Sequence, residues 1–446
     1  MARPKPLSGF PEWLPAERIL ENHIVETLQR TFELHGFASV NTRAVEPISL
    51  LAKDGEIDKE IYAVSRLHGE GTADAKNPLG LHFDLTVPFA RYVVENAGKL
   101  AFPFKRYQIQ PVWRGERPQE GRFREFYQAD IDVVGDGELP AHFEAELPLV
   151  MAEVFRKLSE IGVPPIRIQV NNRKLLEGFS RGIGLSDVQP VLRALDKIDK
   201  IGPDAVGRLL AETAGADAEQ QRLCLALAQI EGDDVSFADE VRALGVSHPM
   251  LDEGLEALTA LIATAQQRAP GVVVAQLKIA RGLDYYTGTV YETLLQGHED
   301  LGSVCSGGRY DSLASEGDRT YPGVGVSLGI SRLLTRLVNH NLVTVSRSVP
   351  TAVLVAVADE GQRGLADAIA STLRSRGIPT DVSPSAAKFG KQIRFADRRG
   401  IPFVWFAEDA DSHQVKDIRS GEQVAADPGS WTPPEADLKP LITAAG

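Results

Sequence analysis

The sequence predicts a multidomain protein that combines α/β and α+β architecture, and three observations support this. A chain of 446 residues is long enough for about two to four domains at ~100–200 residues each. Strand-like and helical stretches alternate after residue 350, which indicates a small α/β domain with a largely parallel sheet. Before that point, strand-like sequence flanks a helical, Ala-rich and acidic stretch at 173–268, which we interpret as a separate helical insertion.

Composition is that of an ordinary globular protein, with 43% hydrophobic and 24% charged residues. The two cysteines, Cys224 and Cys305, are far apart in sequence, so no disulfide framework is indicated and a reducing cytoplasm is the expected location. We expect no membrane association, because no apolar run reaches the ~18 residues of a membrane span and no apolar signal core follows the N-terminus. The nine histidines show no metal-ligand spacing, so no protein-bound zinc is expected.

The charge balance is acidic but uneven. The net charge of −13 argues weakly against a nucleic-acid partner. Residues 385–400, however, hold five basic side chains against one acid, Asp397. These five are Lys388, Lys391, Arg394, Arg398 and Arg399. A local basic docking face is therefore compatible with the acidic whole.

Periodicity predicts the elements in order. Ile24, Leu28 and Phe32 recur every four residues in an amphipathic helix at 17–35, and Gly36 is a natural stop. The further predicted elements are a helix entered near Pro88, a hairpin of 105–112 with 123–134, a helix at about 143–161, and strands at 166–170, 272–279 and 288–293. After a boundary near 345–350, we predict strands at 352–358, 378–382 and 401–407, with helices at 361–376 and about 386–399.

The hairpin carries the densest group of functional side chains. Four arginines are split into two pairs by a Pro-Gln-Glu-Gly turn, and they are Arg114, Arg117, Arg122 and Arg124. Guanidinium groups bind phosphate through a planar two-point fork. Taken alone, a surface hairpin with solvated salt bridges is the commoner explanation.

Four other segments are rich in functional residue types, and each has a structural alternative. Asp84 and Thr86 would share a face of extended chain and suit an ammonium group, or they cap a helix. Arg281 beside Tyr285 and Tyr286 would face a phosphate or carboxylate, or it pairs with Asp284. The paired glycines of 306–311 permit close approach of a ligand, or they form a bulge. The glycine-bearing stretch 323–333 would admit a base or ribose, with Arg332 directed at a phosphate, or it reflects tight strand–helix packing with a solvated arginine.

Together these segments resemble the class II aminoacyl-tRNA synthetases. The Arg-rich hairpin is similar to motif 2 of that family, and 323–333 is similar to its motif 3. The peptides Arg281-Gly-Leu-Asp-Tyr-Tyr and Ser306-Gly-Gly-Arg-Tyr-Asp resemble the two signature peptides of its histidyl-tRNA synthetase branch, and the stretches 388–393 and 396–402 resemble the anticodon-binding domain of that branch. The resemblance runs from about residue 8 to 425. It implies an antiparallel class II catalytic core at 1–172 and 271–345, a helical insertion at 173–270, and an α/β anticodon-binding domain at 350–446.

The resemblance also implies the reaction and its residues. Histidine would be activated by ATP, with Mg²⁺, as histidyl-adenylate and then transferred to the 3′ end of histidine tRNA by a homodimer. Arg114 and Arg281 are the implied catalytic residues. The implied histidine-binding set is Asp84, Thr86, Arg114, Gln128, Asp132, Arg281, Tyr285, Tyr286 and Tyr310, with Asp132 and Tyr286 at the two imidazole nitrogens. The implied ATP-binding set is Arg114, Glu116, Arg122, Phe126 and Arg332. The implied tRNA-binding set is Gln119 with Lys388, Lys391, Arg394, Arg398 and Arg399.

Two positions depart from the common family pattern, and two rival functions remain. Asp84 and Asp132 stand where many members carry the longer glutamate. The nearest rival is the non-catalytic, histidine-sensing regulatory subunit of ATP phosphoribosyltransferase, which shares the catalytic fold. The full arginine set and the segment 350–446 argue against it. The other rival, an uncharged-tRNA sensor, would be expected to carry a kinase-like module.

Overall fold

The computed structural model describes residues 5–52, 60–66, 78–280 and 285–445. The chain divides into two units, Met1–Pro11 with Ile24–Arg336 and Glu12–His23 with Leu337–Gly446. No helix within the described ranges is both long and apolar enough to cross a bilayer.

The helices of the described residues are, in chain order, α1 (Pro15–Leu34), α2 (Ile48–Leu51), α3 (Thr86–Asn96), α4 (His142–Ser159), α5 (Arg173–Gly182), α6 (Val188–Leu195), α7 (Ile198–Ile201), α8 (Pro203–Ala214), α9 (Ala218–Gln229), α10 (Phe237–Ala243), α11 (Pro249–Arg268), α12 (Ile330–Asn339), α13 (Arg363–Ser375) and α14 (Phe389–Arg398).

The strands up to residue 329 are β1 (Ala38–Ser39), β2 (Val45–Pro47), β3 (Ala63–Val64), β4 (Leu79–Leu81), β5 (Phe104–Trp113), β6 (Glu125–Val134), β7 (Ile166–Asn172), β8 (Glu231–Gly232), β9 (Val273–Gln276), β10 (Thr289–Leu295), β11 (Cys305–Tyr310), β12 (Ser315–Glu316), β13 (Arg319–Thr320) and β14 (Gly323–Gly329). The later strands are β15 (Val343–Val345), β16 (Val353–Val355), β17 (Thr380–Val382), β18 (Phe403–Ala407), β19 (His413–Asp417), β20 (Gln423–Ala425) and β21 (Ile442–Ala444).

The first predicted helix is confirmed in α1. Ile24, Leu28 and Phe32 are fully buried, as their spacing of four residues requires for one helical face. Gly36 has a positive φ of 79°, a conformation in which glycine carries no steric penalty, and it follows the end of the helix.

A nine-stranded sheet of described residues forms the centre of the first unit. Its strand order is β1-β5-β6-β14-β11-β10-β7-β9-β8. The central ladders from β5 to β7 are antiparallel, and parallel pairing occurs at β1–β5 and β7–β9. The predicted hairpin is confirmed as β5 and β6, paired from Phe104↔Val134 to Trp113↔Glu125. The predicted antiparallel core is therefore present.

Between β7 and β9, the regular elements of the described residues are all helices apart from the two-residue strand β8, and the sequence predicts this helical character. Helices α5 and α11 lie close together. A Cβ added to Gly178 would lie 2.1 Å from the backbone nitrogen of Leu251, and one added to Gly254 would lie 2.3 Å from that of Leu175. Glycine at both positions therefore allows the two backbones to approach. The helical segment falls within the first unit, and its assignment as an insertion domain at 173–270 stays a prediction.

The second unit contains a five-stranded sheet of order β17-β16-β18-β19-β20. The three predicted strands pair in parallel through β16, and Trp405 of β18 is fully buried. The expectation of a largely parallel sheet is wrong for the other half, because β18, β19 and β20 are antiparallel. Short connections of five residues each join these strands, and such connections permit only antiparallel neighbours.

Candidate active site

Strand β6 sets out the functional side chains by simple alternation. Phe126, Gln128, Asp130 and Asp132 fall on one face, while Ala129, Ile131 and Val133 are fully buried on the other. The neighbouring strand β14 places Gly329, Ser327 and Gly325 opposite Gln128, Asp130 and Asp132. A row of polar side chains therefore runs along β6 near the centre of the sheet, beside two cavities.

The first cavity, of about 250 Å³, lies beside the loop between β5 and β6. Its lining is Arg114, Glu116, Gly121, Arg122, Phe123, Phe126, Gln128, Ser303, Val304, Ser306, Ser327, Gly329 and Arg332. The Arg114 guanidinium carbon lies 5.1 Å from the centre of the Phe126 ring, a cation–π distance. The Glu116 carboxylate lies 3.8 Å from Arg114 and 3.5 Å from Arg122. The predicted ATP-binding residues are thus brought together around one aromatic surface.

Arg332 is the third residue of α12, and its side chain is anchored. Nη1 donates to the carbonyl oxygen of Ser303 at 2.6 Å, and Nη2 donates to that of Leu301 at 2.7 Å. Burial lowers the pKa of Arg332 from its usual value, and the nearby charge of Arg122 adds to this effect. The alternative of a solvated arginine is therefore wrong.

The turn of the β5–β6 loop packs closely against the Arg332 side chain. Gly121 has a φ of 69°, and a Cβ added there would lie 2.8 Å from Leu301 Cδ1 and 3.0 Å from Arg332 Cγ. Glycine is needed at this position both for its backbone conformation and for the close contact. Gln119, predicted to meet the tRNA end, is exposed in the same turn.

The second cavity, also about 250 Å³, adjoins the first and shares Arg114, Gln128, Ser306 and Ser327 with it. The rest of its lining is Asp84, Thr86, Asp130, Tyr285, Tyr286, Tyr291, Glu292 and Gly307. Six predicted histidine-binding residues, namely Asp84, Thr86, Arg114, Gln128, Tyr285 and Tyr286, therefore line one cavity.

Asp84 combines the two roles considered for it. Its Oδ1 accepts a hydrogen bond from the Val87 backbone nitrogen at 3.2 Å, while Oδ2 has no hydrogen-bond partner among the described residues. Burial raises the pKa of Asp84 to about 6. Thr86 is the first residue of α3 rather than part of an extended chain. The expected alternation is therefore wrong, but both side chains line the cavity.

Asp132 and Tyr310 lie behind the cavity lining. The Tyr310 hydroxyl donates to Oδ1 of Asp132 at 2.8 Å, and Nη2 of Arg106 lies 2.7 Å from Oδ2. Burial raises the pKa of Asp132, and the Arg106 guanidinium opposes this rise. A Cβ added to Gly325 would lie 2.1 Å from Asp132 Oδ1, so glycine makes room for this carboxylate. The role of Asp132 at the imidazole stays a prediction.

Sequence reasoning missed Arg106 and Asp130. Arg106 is fully buried, and its guanidinium carbon lies 4.2 Å from the centre of the Phe89 ring. Asp130 is 2% exposed and lines the second cavity. Burial raises its pKa to about 7, with Arg106 opposing the rise and Asp132 adding to it. The regular spacing of polar residues at 128, 130 and 132 in a buried strand was the available signal.

The tyrosines and paired glycines complete the second cavity. The ring centres of Tyr285 and Tyr286 are 5.0 Å apart, and those of Tyr285 and Tyr310 are 6.1 Å apart. A Cβ added to Gly308 would lie 2.9 Å from Tyr286 Cδ1. Strand β11 pairs without interruption on both sides, so the alternative of a glycine bulge is wrong. The glycine allows the Tyr286 ring to approach the strand closely.

Arg281 lies outside the described residues, and its proposed role stays a prediction. In the second unit, four predicted tRNA-binding residues, Lys388, Lys391, Arg394 and Arg398, are exposed on or beside α14. Arg399 is half-buried, with Nη1 3.0 Å from Asp381 Oδ2 and the guanidinium over the Phe395 ring. The basic face is therefore formed mainly by the first four side chains.

Comparison with known proteins matches two separate segments of the chain to two family models. A family model described as histidyl-tRNA synthetase matches residues 9–333. The chain belongs to this family. A model described as an anticodon binding domain matches residues 351–429. A histidine–tRNA ligase of Micrococcus luteus is 59% identical over 459 residues, with 100% of each chain covered.

Solved structures agree with this membership. The chain is similar to the crystal structure of histidyl-tRNA synthetase from a Nostoc species, with a TM-score of 0.85, 33% identity, and coverage of 96% of this chain and 97% of that one. A Bacillus halodurans structure described as an ATP phosphoribosyltransferase regulatory subunit or histidyl-tRNA synthetase has a TM-score of 0.72 at 18% identity, covering 88% of this chain and 97% of that one. That second likeness shows the fold alone. The predicted class, an aminoacyl-tRNA ligase with a class II core, is confirmed, and the regulatory-subunit alternative is not favoured.

Proposed function

We propose that this chain joins L-histidine to histidine tRNA in two steps through histidyl-adenylate. The observation that supports this most is the pair of adjoining cavities with Arg114 in the wall of both. In the first step, an oxygen of the histidine carboxylate attacks the α-phosphorus of ATP and the bond to pyrophosphate breaks. In the second, a ribose hydroxyl of the tRNA 3′ end attacks the carbonyl carbon and AMP leaves.

In the first cavity we assign the ATP subsite. Phe126 offers a flat surface for adenine, and Glu116 lies between the guanidinium groups of Arg114 and Arg122. Arg332 and Gly329 line the same cavity. Phosphoryl transfer depends mostly on positioning and charge neutralisation, and three arginines around one cavity supply both.

In the second cavity we assign the histidine subsite. Asp84 and Thr86 receive the α-ammonium group, with Gln128, whose Oε1 has no hydrogen-bond partner among the described residues. Arg114 directs the carboxylate toward the nucleotide. Tyr286, Asp132 and the second-layer residue Tyr310 form the imidazole end, with Tyr285 packed between the two tyrosines.

Magnesium enters this proposal as part of the nucleotide substrate. Within the described ranges, no group of three His, Cys, Asp or Glu side chains is placed to hold a metal ion. Magnesium bound chiefly by phosphate oxygens and water needs no such group. We propose that magnesium accompanies ATP into the first cavity.

The remaining assignments concern tRNA and assembly. We propose that Gln119 meets the acceptor end and that Lys388, Lys391, Arg394, Arg398 and Arg399 dock the anticodon region. A cytoplasmic homodimer is the proposed state, following the family resemblance and the two buried free cysteines, Cys224 and Cys305.

The test is histidine-dependent exchange of labelled pyrophosphate into ATP, followed by charging of tRNA. The proposal requires both reactions from the pure, folded protein, and the absence of both would refute it. Arg281→Ala tests the residue outside the described ranges. Its positive charge matters chiefly in the transition state, so adenylate formation should fall far more than histidine binding. If Arg281→Ala weakens adenylate formation and histidine binding equally, Arg281 does not act chiefly in the transition state.

A further inference from the structure

Asp130 is a buried carboxylate that the assignments above leave unused. It is 2% exposed and lines the histidine cavity between Gln128 and Ser327. Within the described residues, neither its Oδ1 nor the Oγ of Ser327, opposite it in the ladder, has a partner in good hydrogen-bond geometry, although the Ser327 hydroxyl is near enough to lower the pKa of Asp130 slightly against the effect of burial. A buried acceptor without a donor is costly, so each one in a native structure calls for an explanation, and a bound ligand is one such explanation.

The nearby guanidinium belongs chiefly to the other aspartate. Nη2 of Arg106 lies 2.7 Å from Oδ2 of Asp132 but 3.9 Å from Oδ2 of Asp130. Asp132 also accepts the Tyr310 hydroxyl. Of these two neighbouring carboxylates, Asp130 is therefore the one that can still accept a hydrogen bond from a ligand.

The charge around Asp130 is predominantly negative. The titratable and polar groups that face it from the neighbouring elements are Arg106 and Gln108 on β5, Asp132 on β6, Ser327 on β14, Cys305 on β11, Asp84 before α3, and Tyr286 before β10. Within the described residues, three buried aspartates thus share Arg106 and the half-exposed Arg114. Glu292 joins Asp84 and Asp130 as a third acid in the cavity wall. This balance suits a ligand with positive charge at both its ammonium and its side chain.

We propose that Asp130 is a specificity-determining residue that accepts a hydrogen bond from a ring nitrogen of bound histidine and favours the imidazolium form. Arg106 is a positioning residue, because it pairs with Asp132 and leaves Asp130 available to the cavity. This inference rests on the proposed function and adds a residue to its histidine subsite. The raised pKa of Asp130, about 7, is close to the ~6.5 of an imidazole, so the two groups can share one proton near neutral pH.

The first experiment compares wild type, Asp130→Asn and Asp136→Asn in histidine-dependent pyrophosphate exchange. Asp136 is exposed and pairs with Arg319, so it is a matched Asp→Asn control. The histidine analogue with a 1,2,4-triazole ring serves as a probe, since that ring is not protonated at neutral pH. For Asp130→Asn, KM for histidine should rise about tenfold to a hundredfold. KM for the triazole analogue should rise less than about threefold, and KM for ATP should stay unchanged.

If Asp130 has only a structural role, Asp130→Asn should raise KM equally for histidine and for the triazole analogue, or it should change KM for ATP. Either result overturns the inference, as does a profile like that of Asp136→Asn. If wild type itself supports no exchange with histidine, the proposed function fails and takes this inference with it. If wild type catalyses exchange and Asp130→Asn has the same KM values as wild type, the proposed function stands and only this inference fails.

A second measurement needs only the wild-type protein and covers a variant that does not fold. Calorimetric titration with histidine in two buffers of different ionisation enthalpy counts the protons exchanged on binding. Above pH ~7 the free carboxylate and free imidazole hold less than one proton between them, so binding should take up protons. Below pH ~6 it should release them. No net exchange across this range contradicts the inference.

Discussion

Nη2 of Arg106 lies 2.7 Å from Oδ2 of Asp132, and both side chains are buried beneath the histidine cavity. The Arg106 guanidinium also lies over the Phe89 ring, on the side of helix α3. The pair therefore links the floor of the cavity to the helix that begins at Thr86. A buried arginine of this kind cannot be exchanged for a neutral side chain without leaving a carboxylate uncompensated.

Arg106→Met should lower the free energy of unfolding by about 3–5 kcal/mol, because Asp130 and Asp132 would lose their buried counterion. Guanidinium denaturation in the absence of ligands measures this. The matched control is Arg156→Met, since Arg156 is 66% exposed and 3.9 Å from Glu160. The control should change stability by less than about 1 kcal/mol. Equal effects of the two changes would show that the buried pair contributes no more than the exposed one.

The pH dependence of stability should differ between wild type and Asp130→Asn. Burial raises the pKa of Asp130 to about 7 in the folded chain, above its value near 3.9 in an unfolded chain. Folding therefore favours the protonated form. Its stabilising contribution is complete below pH ~4 and disappears as pH rises through ~7.

Asparagine removes this titration, so the variant should gain about 2–3 kcal/mol relative to wild type between pH 5 and pH 8. Denaturation of both proteins at the two pH values, without histidine, gives the comparison. Asp84, whose pKa is raised to about 6, titrates in both proteins and its effect largely cancels. A difference in stability that stays constant with pH would contradict the burial of an ionisable Asp130.

Arg332→Met should raise KM for ATP by about tenfold or more, because an arginine at a phosphate contributes charge-assisted hydrogen bonds. KM for histidine should change little, since Arg332 lines only the first of the two cavities. Pyrophosphate exchange at varied ATP and varied histidine separates the two constants. Arg319→Met is the control, because Arg319 is 54% exposed and pairs with Asp136. A larger effect on histidine than on ATP would place Arg332 in the wrong subsite.

Charge reversal at Lys391 and Arg394 together should raise KM for tRNA about tenfold and leave pyrophosphate exchange intact, because phosphate contacts are electrostatic. Both side chains are exposed on α14. Lys439→Glu, an exposed lysine of the same unit, is the matched control. An unaltered KM for tRNA in the double variant would identify the basic face of α14 as ordinary solvated surface.

Local patterns were sufficient for most of the secondary-structure elements. The period of Ile24, Leu28 and Phe32 predicted α1, and the glycines from Gly323 to Gly329 predicted a strand running into α12. Both depend on contacts within one or two neighbouring elements. The antiparallel strands β19 and β20 were missed because they are short and largely polar, and their pairing depends on the turns that join them.

The features that the sequence did not predict depend on contacts between residues far apart in the chain. Arg332 contacts carbonyl oxygens 29 and 31 positions away, and no local pattern predicts such partners. Asp130 and Asp132 have the same residue type and the same strand face, yet Arg106 lies closer to one of them. The register of β5 and β6 decides this, because it places Arg106 opposite Asp132 and Gln108 opposite Asp130.

The shared wall of Arg114, Gln128, Ser306 and Ser327 has a practical consequence for inhibitor design. A compound that carries an adenosine-like group and an imidazole-like group on one short linker could occupy both cavities together. Its second half would then bind at the high effective concentration that a tether provides. Selectivity between organisms would rest on the imidazole end, where a pair of short aspartates shares a single buried arginine within the described residues.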